Sequence, residues 1–343
     1  MTQSPIDLKD VLGRPINDLR VSVTDRCNFR CPFCMPAEIY GVKYHFLPKR
    51  EILTFEEITR LTRILVGLGV RKVRLTGGEP LLRNGLETLV GMMAEIEGLE
   101  DLALTTNGFL LAQKAQGLKD AGLKRVTVSL HSLDDEVFGE MNGRGFGIER
   151  VLDGIRKAAE VGLTPVKINV VVQKGVNDHT IVDLARFTKE LGYIIRFIEY
   201  MDVGNLNGWN MEKVVSADEI VNIISSEMPL VPLEKNYSSE VALRFGHEDG
   251  SGEIGVIASV TKPFCGDCAR IRLSAEGKVY TCLFASVGHD LRSPLRSGAT
   301  DDEIRDLIVD IWRRRTDRYS EERAELMAAG VKTKKPEMYH LGG

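Results

Sequence analysis

No stretch of this chain approaches the run of about eighteen uninterrupted apolar residues that a membrane-spanning helix requires, so no span is expected. A basic excess is missing as well. The 45 Lys and Arg stand against 49 Asp and Glu, a formal net charge of −4, which argues against wholesale nucleic-acid binding. Any affinity for phosphate must therefore come from a few arginines and lysines gathered locally. Low-complexity tracts are absent, and the opening ten residues have neither the basic start, the apolar run nor the small-residue cleavage site of a secretory signal. A reducing cytoplasm is the expected setting, and disulfides are rare there. What is present, 43% apolar and 27% charged residues over 343 positions, is the profile of a globular enzyme of one large domain or two.

Cysteine is sparse too, and its six copies fall into two groups with none left over. Cys27, Cys31 and Cys34 form C-x3-C-x2-C; Cys265, Cys268 and Cys282 form C-x2-C-x13-C. Grouped cysteines in a reducing compartment mark metal sites. Structural zinc closes its tetrahedron with four protein ligands, and His45 and His289 are the nearest candidates for a fourth. An iron–sulfur cube also ordinarily takes four cysteines. With three, one iron of each cube stays open to a ligand that is not protein.

Short β-branched runs alternate with amphipathic stretches. Residues 19–23, 72–76, 101–105, 125–129, 166–172 and 194–198 read as strands; residues 85–96, 109–121, 148–161 and 181–191 read as helices, with another starting near Thr54. Thr54 followed three residues later by Glu57 is a capping box. Six such units in series predict a parallel sheet. Each strand ends in polar or glycine-rich chemistry: Thr24-Asp-Arg26, Thr76-Gly-Gly-Glu-Pro80, Thr105-Thr-Asn-Gly108, Ser129-Leu-His131 and Glu199-Tyr-Met201. Parallel barrels build their active sites at those ends. A doubly wound sheet would carry a Gly-x-Gly-x-x-Gly turn after its first strand, where this chain has cysteines. After about residue 215 the alternation stops. A Pro/Glu/Ser-rich passage (229–239), short strands with a hairpin at 275–278 and a helix over 302–315 predict a smaller region, residues 216–343, carrying the second triplet.

The first triplet, with Phe33 just before its last cysteine, resembles the signature of the radical S-adenosylmethionine superfamily. The resemblance narrows further over essentially the whole chain. Leu19-Arg-Val-Ser-Val-Thr-Asp-Arg-Cys-Asn-Phe-Arg-Cys31, Arg74-Leu-Thr-Gly-Gly-Glu-Pro80, Thr105-Thr-Asn-Gly108, Phe197-Ile-Glu-Tyr-Met-Asp-Val-Gly204, Phe264-Cys-Gly-Asp-Cys-Ala-Arg-Ile-Arg-Leu-Ser274 and the closing Gly342-Gly343 look like the GTP 3′,8-cyclase family of molybdenum-cofactor biosynthesis. This implies an α/β fold, an incomplete (βα)6 TIM-type barrel over residues 1–215, with a C-terminal extension holding a second cluster. It implies two [4Fe-4S] clusters and S-adenosylmethionine as cofactors, and GTP as substrate. A 5′-deoxyadenosyl radical would abstract the C3′ hydrogen, leading to 3′,8-cyclo-7,8-dihydroguanosine triphosphate. It also implies hand-off to a cyclic pyranopterin monophosphate synthase, an external electron donor, and a homodimer as one possible assembly.

By the same resemblance, Cys27, Cys31 and Cys34 hold the cluster that binds S-adenosylmethionine, and Cys265, Cys268 and Cys282 hold the one whose open iron takes guanine. Phe33, Gly78, Ser129 and Met201 face S-adenosylmethionine, although core packing explains Phe33 equally well. Arg20, Arg74, Lys167, Arg270 and Arg272 meet the triphosphate, with a hydroxyl from Thr105, and Gly342 and Gly343 reach back into the barrel as accessory residues. The residues support this set: Arg20 and Lys167 interrupt apolar strands, where a charge is costly unless it faces a polar cavity, and Arg270 and Arg272 sit two apart, on one strand face. His131 stands where the family more often has aspartate, and Phe33 where many relatives have tyrosine. Gly143-Arg-Gly-Phe-Gly147 lacks the Gly-Lys-Ser/Thr ending of a phosphate loop and reads as an ordinary loop. The alternatives are a peptide-modifying radical enzyme with an auxiliary cluster and a non-catalytic zinc-stabilised binding protein.

Overall fold

The computed structural model describes residues 8–331 and 334–342. Strands and helices alternate from β1 (Asp18–Ser22) through α1 (Phe55–Gly67), β2 (Lys72–Thr76), α2 (Leu86–Ala94), β3 (Asp101–Thr106), α3 (Leu111–Asp120) and β4 (Arg125–Ser129). The series continues with α4 (Asp135–Asn142), α5 (Glu149–Glu160), β5 (Lys167–Val172), α6 (Ile181–Glu190) and β6 (Ile194–Glu199). The local causes are legible. Thr54 accepts from the Glu57 backbone N–H while the Glu57 carboxylate takes that of Thr54, which starts α1; its apolar face, Ile58, Leu61 and Leu65, is then buried against the sheet. Burying each such side chain contributes about 1.5–3 kcal/mol. Helix α4 lies outside the sequence expectation, its eight residues being too short for a clear apolar period; the Asp134 carboxylate starts it by accepting from the Glu136 and Val137 N–H groups.

Beyond β6 come α7 (Ala217–Ser225), β7 (Leu230–Leu233), β8 (Leu243–His247), β9 (Glu253–Ile257), β10 (Arg270–Leu273), β11 (Lys278–Tyr280) and β12 (His289–Asp290). Helices α8 (Arg292–Arg296), α9 (Asp301–Arg313), α10 (Tyr319–Ala328) and α11 (Met338–Leu341) follow. Among the described residues, all twelve strands belong to one open sheet, ordered β12-β11-β10-β1-β2-β3-β4-β5-β6-β9-β8-β7. The six βα strands are parallel, and the late strands extend them at both sides: β10 runs parallel to β1 and β9 parallel to β6. The passage at 229–239, read from sequence as irregular, supplies β7, paired antiparallel with β8. The expected hairpin is β10–β11, turning at Gly277 with φ +83°. Between sheet and helices lies an apolar core including Leu19, Leu75, Leu104, Val128, Ile168 and Phe197. Among the described residues, no helix is long and apolar enough to cross a membrane.

Candidate active site

The loop after β1 carries the first cysteine triplet. Arg30 holds it from within, donating through Nε to the Tyr40 carbonyl at 2.6 Å and through Nη1 to the Cys27 and Phe29 carbonyls at 2.7 Å. The Cys34 and Met35 N–H groups both meet the Cys31 carbonyl, at 2.9 and 2.8 Å. The turn after β2 presses against this loop: Gly78 N–H donates to Thr24 and Glu79 N–H to Arg26, both at 2.8 Å. A Cβ on Gly77 would lie 2.5 Å from the Thr24 carbonyl oxygen and one on Gly78 2.2 Å from that of Arg26. Two glycines are thus required by the approach of one loop to another, a reason that the sequence reading of Gly78 did not include.

Three buried thiols meet here. Burial, then the charge of Glu79, pushes Cys27 up to about 12, while Cys31 is raised by burial and by Cys34 and Cys27, and Cys34 by burial, Cys27 and Glu337. Thiolates so placed need a cation among them. No three His, Cys, Asp or Glu side chains among the described residues converge on a single ion. An iron–sulfur cube gives each thiolate its own iron, so three thiols carried on one loop are a donor set that fits a cube. Beside the triplet, Phe33 meets His131 edge to face at 5.2 Å. His131 Nδ1 accepts from the Val171 N–H at 3.2 Å, and burial draws this imidazole down to about 4, so it is neutral near pH 7. Ser129 closes β4 opposite Asn169 of β5.

The second triplet opens on a cavity that it lines together with Arg20, Arg74, Arg196, Arg270, Arg272 and Met201. Pairing of β10, β1 and β2 sets Arg272, Arg20 and Arg74 in one row at the same register. Like charges side by side on neighbouring strands repel. Burial and the charges of Arg272 and Arg270 hold Arg20 down at about 9; burial and Arg270 hold Arg272 at about 10. Arginine stays protonated in proteins, so this crowding persists as repulsion that a polyanion relieves. Arg74 Nη1 donates to Thr105 Oγ1 at 3.0 Å and Thr127 Oγ1 at 2.9 Å, which makes Thr105 an orienting group for that arginine. Arg270 Nε and Nη2 lie 3.3 and 3.2 Å from Cys268 Sγ. Burial alone would raise the Cys268 thiol, but Arg270 and Arg315 outweigh it and bring it down to about 6; Cys282, buried with weaker support, is pushed up to about 11. The C-terminal segment spans both triplets. The Tyr339 backbone lies beside Cys34 and favours its thiolate, and the Gly342 carbonyl accepts from Arg272 Nη1 at 2.7 Å. Gly342, at φ +66°, packs so that a Cβ would fall 2.0 Å from Thr76 Cγ2. Gly343 lies outside the described residues.

This cavity gathers five of the sequence-derived residues, Arg20, Arg74, Met201, Arg270 and Arg272, with the second triplet; Cys27, Cys31, Cys34, Phe33, Gly78, Ser129, Thr105 and Lys167 do not line it. Lys167 is tied to it through the charges of Arg196 and Arg74. Arg196 and Asn169, opposite one another on β6 and β5, line the cavity and were not singled out from sequence. Their signal was present: a polar residue in the middle of an apolar strand, the pattern that marked Arg20.

A parallel sheet with a three-cysteine loop after its first strand defines the class of radical S-adenosylmethionine proteins, and the family model described as "Radical SAM superfamily" matches residues 21–188. A second model, "Molybdenum Cofactor Synthesis C", matches residues 193–321. The GTP 3′,8-cyclase of Acidothermus cellulolyticus is 55% identical over 321 residues, 92% of this chain and 89% of the relative. That of Staphylococcus haemolyticus is 49% identical over 337 residues, 98% and 99% of the two chains. The chain belongs to the GTP 3′,8-cyclase family. Among solved structures, Streptococcus suis SuiB bound to S-adenosylmethionine shares the fold, with a TM-score of 0.60 at 16% identity over 87% of this chain and 65% of that one, just under two thirds of its length.

Proposed function

We propose that this chain converts GTP into 3′,8-cyclo-7,8-dihydroguanosine triphosphate, the first step of molybdenum cofactor biosynthesis. One observation carries the reading beyond the family: a single cavity holds the second cysteine triplet and a row of mutually repelling arginines. Cys27, Cys31 and Cys34 would hold one [4Fe-4S] cluster, and Cys265, Cys268 and Cys282 a second whose open iron takes the guanine base. When bound, the first cluster and S-adenosylmethionine supply reductive cleavage of the sulfonium and a radical able to take the ribose C3′ hydrogen. The protein's own part is placement. Arg20, Arg74, Lys167, Arg196, Arg270 and Arg272 would hold the triphosphate, with Thr105 and Thr127 steering Arg74. Fork-shaped guanidinium groups suit phosphate oxygens.

Phe33, Gly78, Ser129 and Met201 would orient S-adenosylmethionine, and Gly342 would close the chamber over Arg272, with Gly343, outside the described residues, as a further accessory residue. In this division residues 1–215 generate the radical and residues 216–343 add the second cluster and part of the substrate site. The enzyme would work in a reducing cytoplasm, take electrons from an external donor, and pass its product to a cyclic pyranopterin monophosphate synthase. The reconstituted protein, incubated anaerobically with S-adenosylmethionine, a reductant and GTP deuterated at C3′, should yield 5′-deoxyadenosine carrying deuterium. Cofactor cleavage with the label left on GTP would reject the substrate assignment.

A further inference from the structure

Arg14 and Arg315 are buried cations of the cavity that the substrate reading leaves unused. Arg14 comes from the segment before β1, Arg315 from just beyond α9. Arg14 Nε donates to Asp10 Oδ2 at 2.6 Å, and its Nη1 to the Cys265 carbonyl at 2.9 Å and the Asp317 carbonyl at 2.8 Å. Arg315 Nη1 donates to the Cys268 carbonyl at 2.7 Å, and its guanidinium lies 4.6 Å from the Trp312 ring centre. Trp312 closes the group by donating from Nε1 to the Arg14 carbonyl at 3.1 Å. Asp317 Oδ2 accepts from Thr281 Oγ1 at 2.6 Å, next to Cys282. One network therefore reaches the carbonyls of Cys265 and Cys268 and the hydroxyl of Thr281, which precedes Cys282.

The network does not consume all its donors. Arg14 Nη2 and Arg315 Nε are buried without a hydrogen-bond partner, and the nearest carboxylate oxygen to Arg315 Nε, Asp317 Oδ2, is 3.5 Å away. A buried N–H left unpaired is costly; Arg196 Nε, on the β6 side of the same cavity, is a third, and the two beside the cysteine turns point to an acceptor that belongs there. Three thiolates and the sulfides of a cube are acceptors of the right charge. We propose that Arg14 and Arg315 are positioning residues for the second cluster: their bonded N–H groups set the cysteine turns, and each keeps one N–H for a cluster sulfur. Hydrogen bonds and positive charge at the sulfurs raise a cluster's reduction potential, so these arginines make the second cluster easier to reduce. The inference rests on the reading that this triplet holds a cluster.

The test uses full-length protein with C27A, C31A and C34A, reconstituted anaerobically so that only the second site can load. Iron and sulfide content, the electron paramagnetic resonance spectrum and the midpoint potential are measured for this parent and for Arg14→Gln and Arg315→Gln in the same background. Each glutamine variant is expected to keep its iron, to shift its potential to more negative values and to change its spectrum. Iron-loaded variants with the parent's potential and spectrum would overturn the inference alone; a parent that takes up no iron would overturn it together with the cluster reading. Where a glutamine variant does not fold, the matching lysine variant, which keeps the charge and loses the planar fork, serves instead. A potential displaced to more negative values supports the proposal; one unmoved or displaced the other way sinks it.

Discussion

Lys167 sits where burial and the charges of Arg196, Arg125 and Arg74 draw its ammonium from the usual 10.5 down to about 7. With the folded value depressed, the free protein releases this proton as pH rises through about 7, while a bound triphosphate holds it on. GTP binding therefore favours the protonated form: KM for GTP should be level below pH 7 and climb above it. Lys167→Arg stays charged and should flatten that climb, so a variant with the parent's pH profile would exclude Lys167 from the site. Arg74→Ala removes a charged donor and the purpose of two threonine hydroxyls. Charged hydrogen bonds contribute about 1.5–3 kcal/mol, so KM for GTP should rise about 10–100-fold with iron content unchanged. Gly78→Ala should act on the other triplet. Its Cβ would collide with the Arg26 carbonyl, costing about 1–3 kcal/mol, and iron analysis should show the first cluster depleted.

At the scale of elements, the join between β6 and the C-terminal helices turns on Asp202, just past the strand. Its carboxylate accepts from Tyr319 Oη at 2.5 Å, Arg323 Nε at 2.9 Å and Lys335 Nζ at 2.5 Å. Burial raises its pKa, but Arg323 and Lys335 outweigh burial and hold it low. Stability from this group is thus present above the ordinary carboxylate range and lost as pH falls through the depressed value. Asp202→Asn leaves the buried Arg323 and the half-buried Lys335 uncompensated; breaking a buried pair costs about 3–5 kcal/mol, and a clear drop in melting temperature should follow. Elements of this chain were legible where their cause is local. Strands β2 and β4 occupy the residues expected from β-branched alternation, and α1 begins at the Thr54 capping box. The places of β9 and β10 were not legible, because nothing within Glu253–Ile257 or Arg270–Leu273 names β6 and β1 as neighbours. The site divides the same way. Arg20 and Lys167 stand out as charges in apolar strands, whereas Arg14 lies in a turn with no pattern, and only distant contacts to Cys265 and Asp317 give it a role.

For the whole molecule, the sheet sets the order of events. Strands β1 and β6 are interior strands in the finished protein, each covered by a partner from beyond residue 250. During synthesis both remain bare edges until most of the chain has emerged, and exposed parallel edges invite pairing with other chains. The arginine row is incomplete over the same interval, since Arg272 arrives only with β10. A nascent chain halted near residue 215 would therefore own its first three cysteines but not an enclosed place to use them. An enclosed chamber exists only once β9 and β10 have zipped shut both flanks of the sheet.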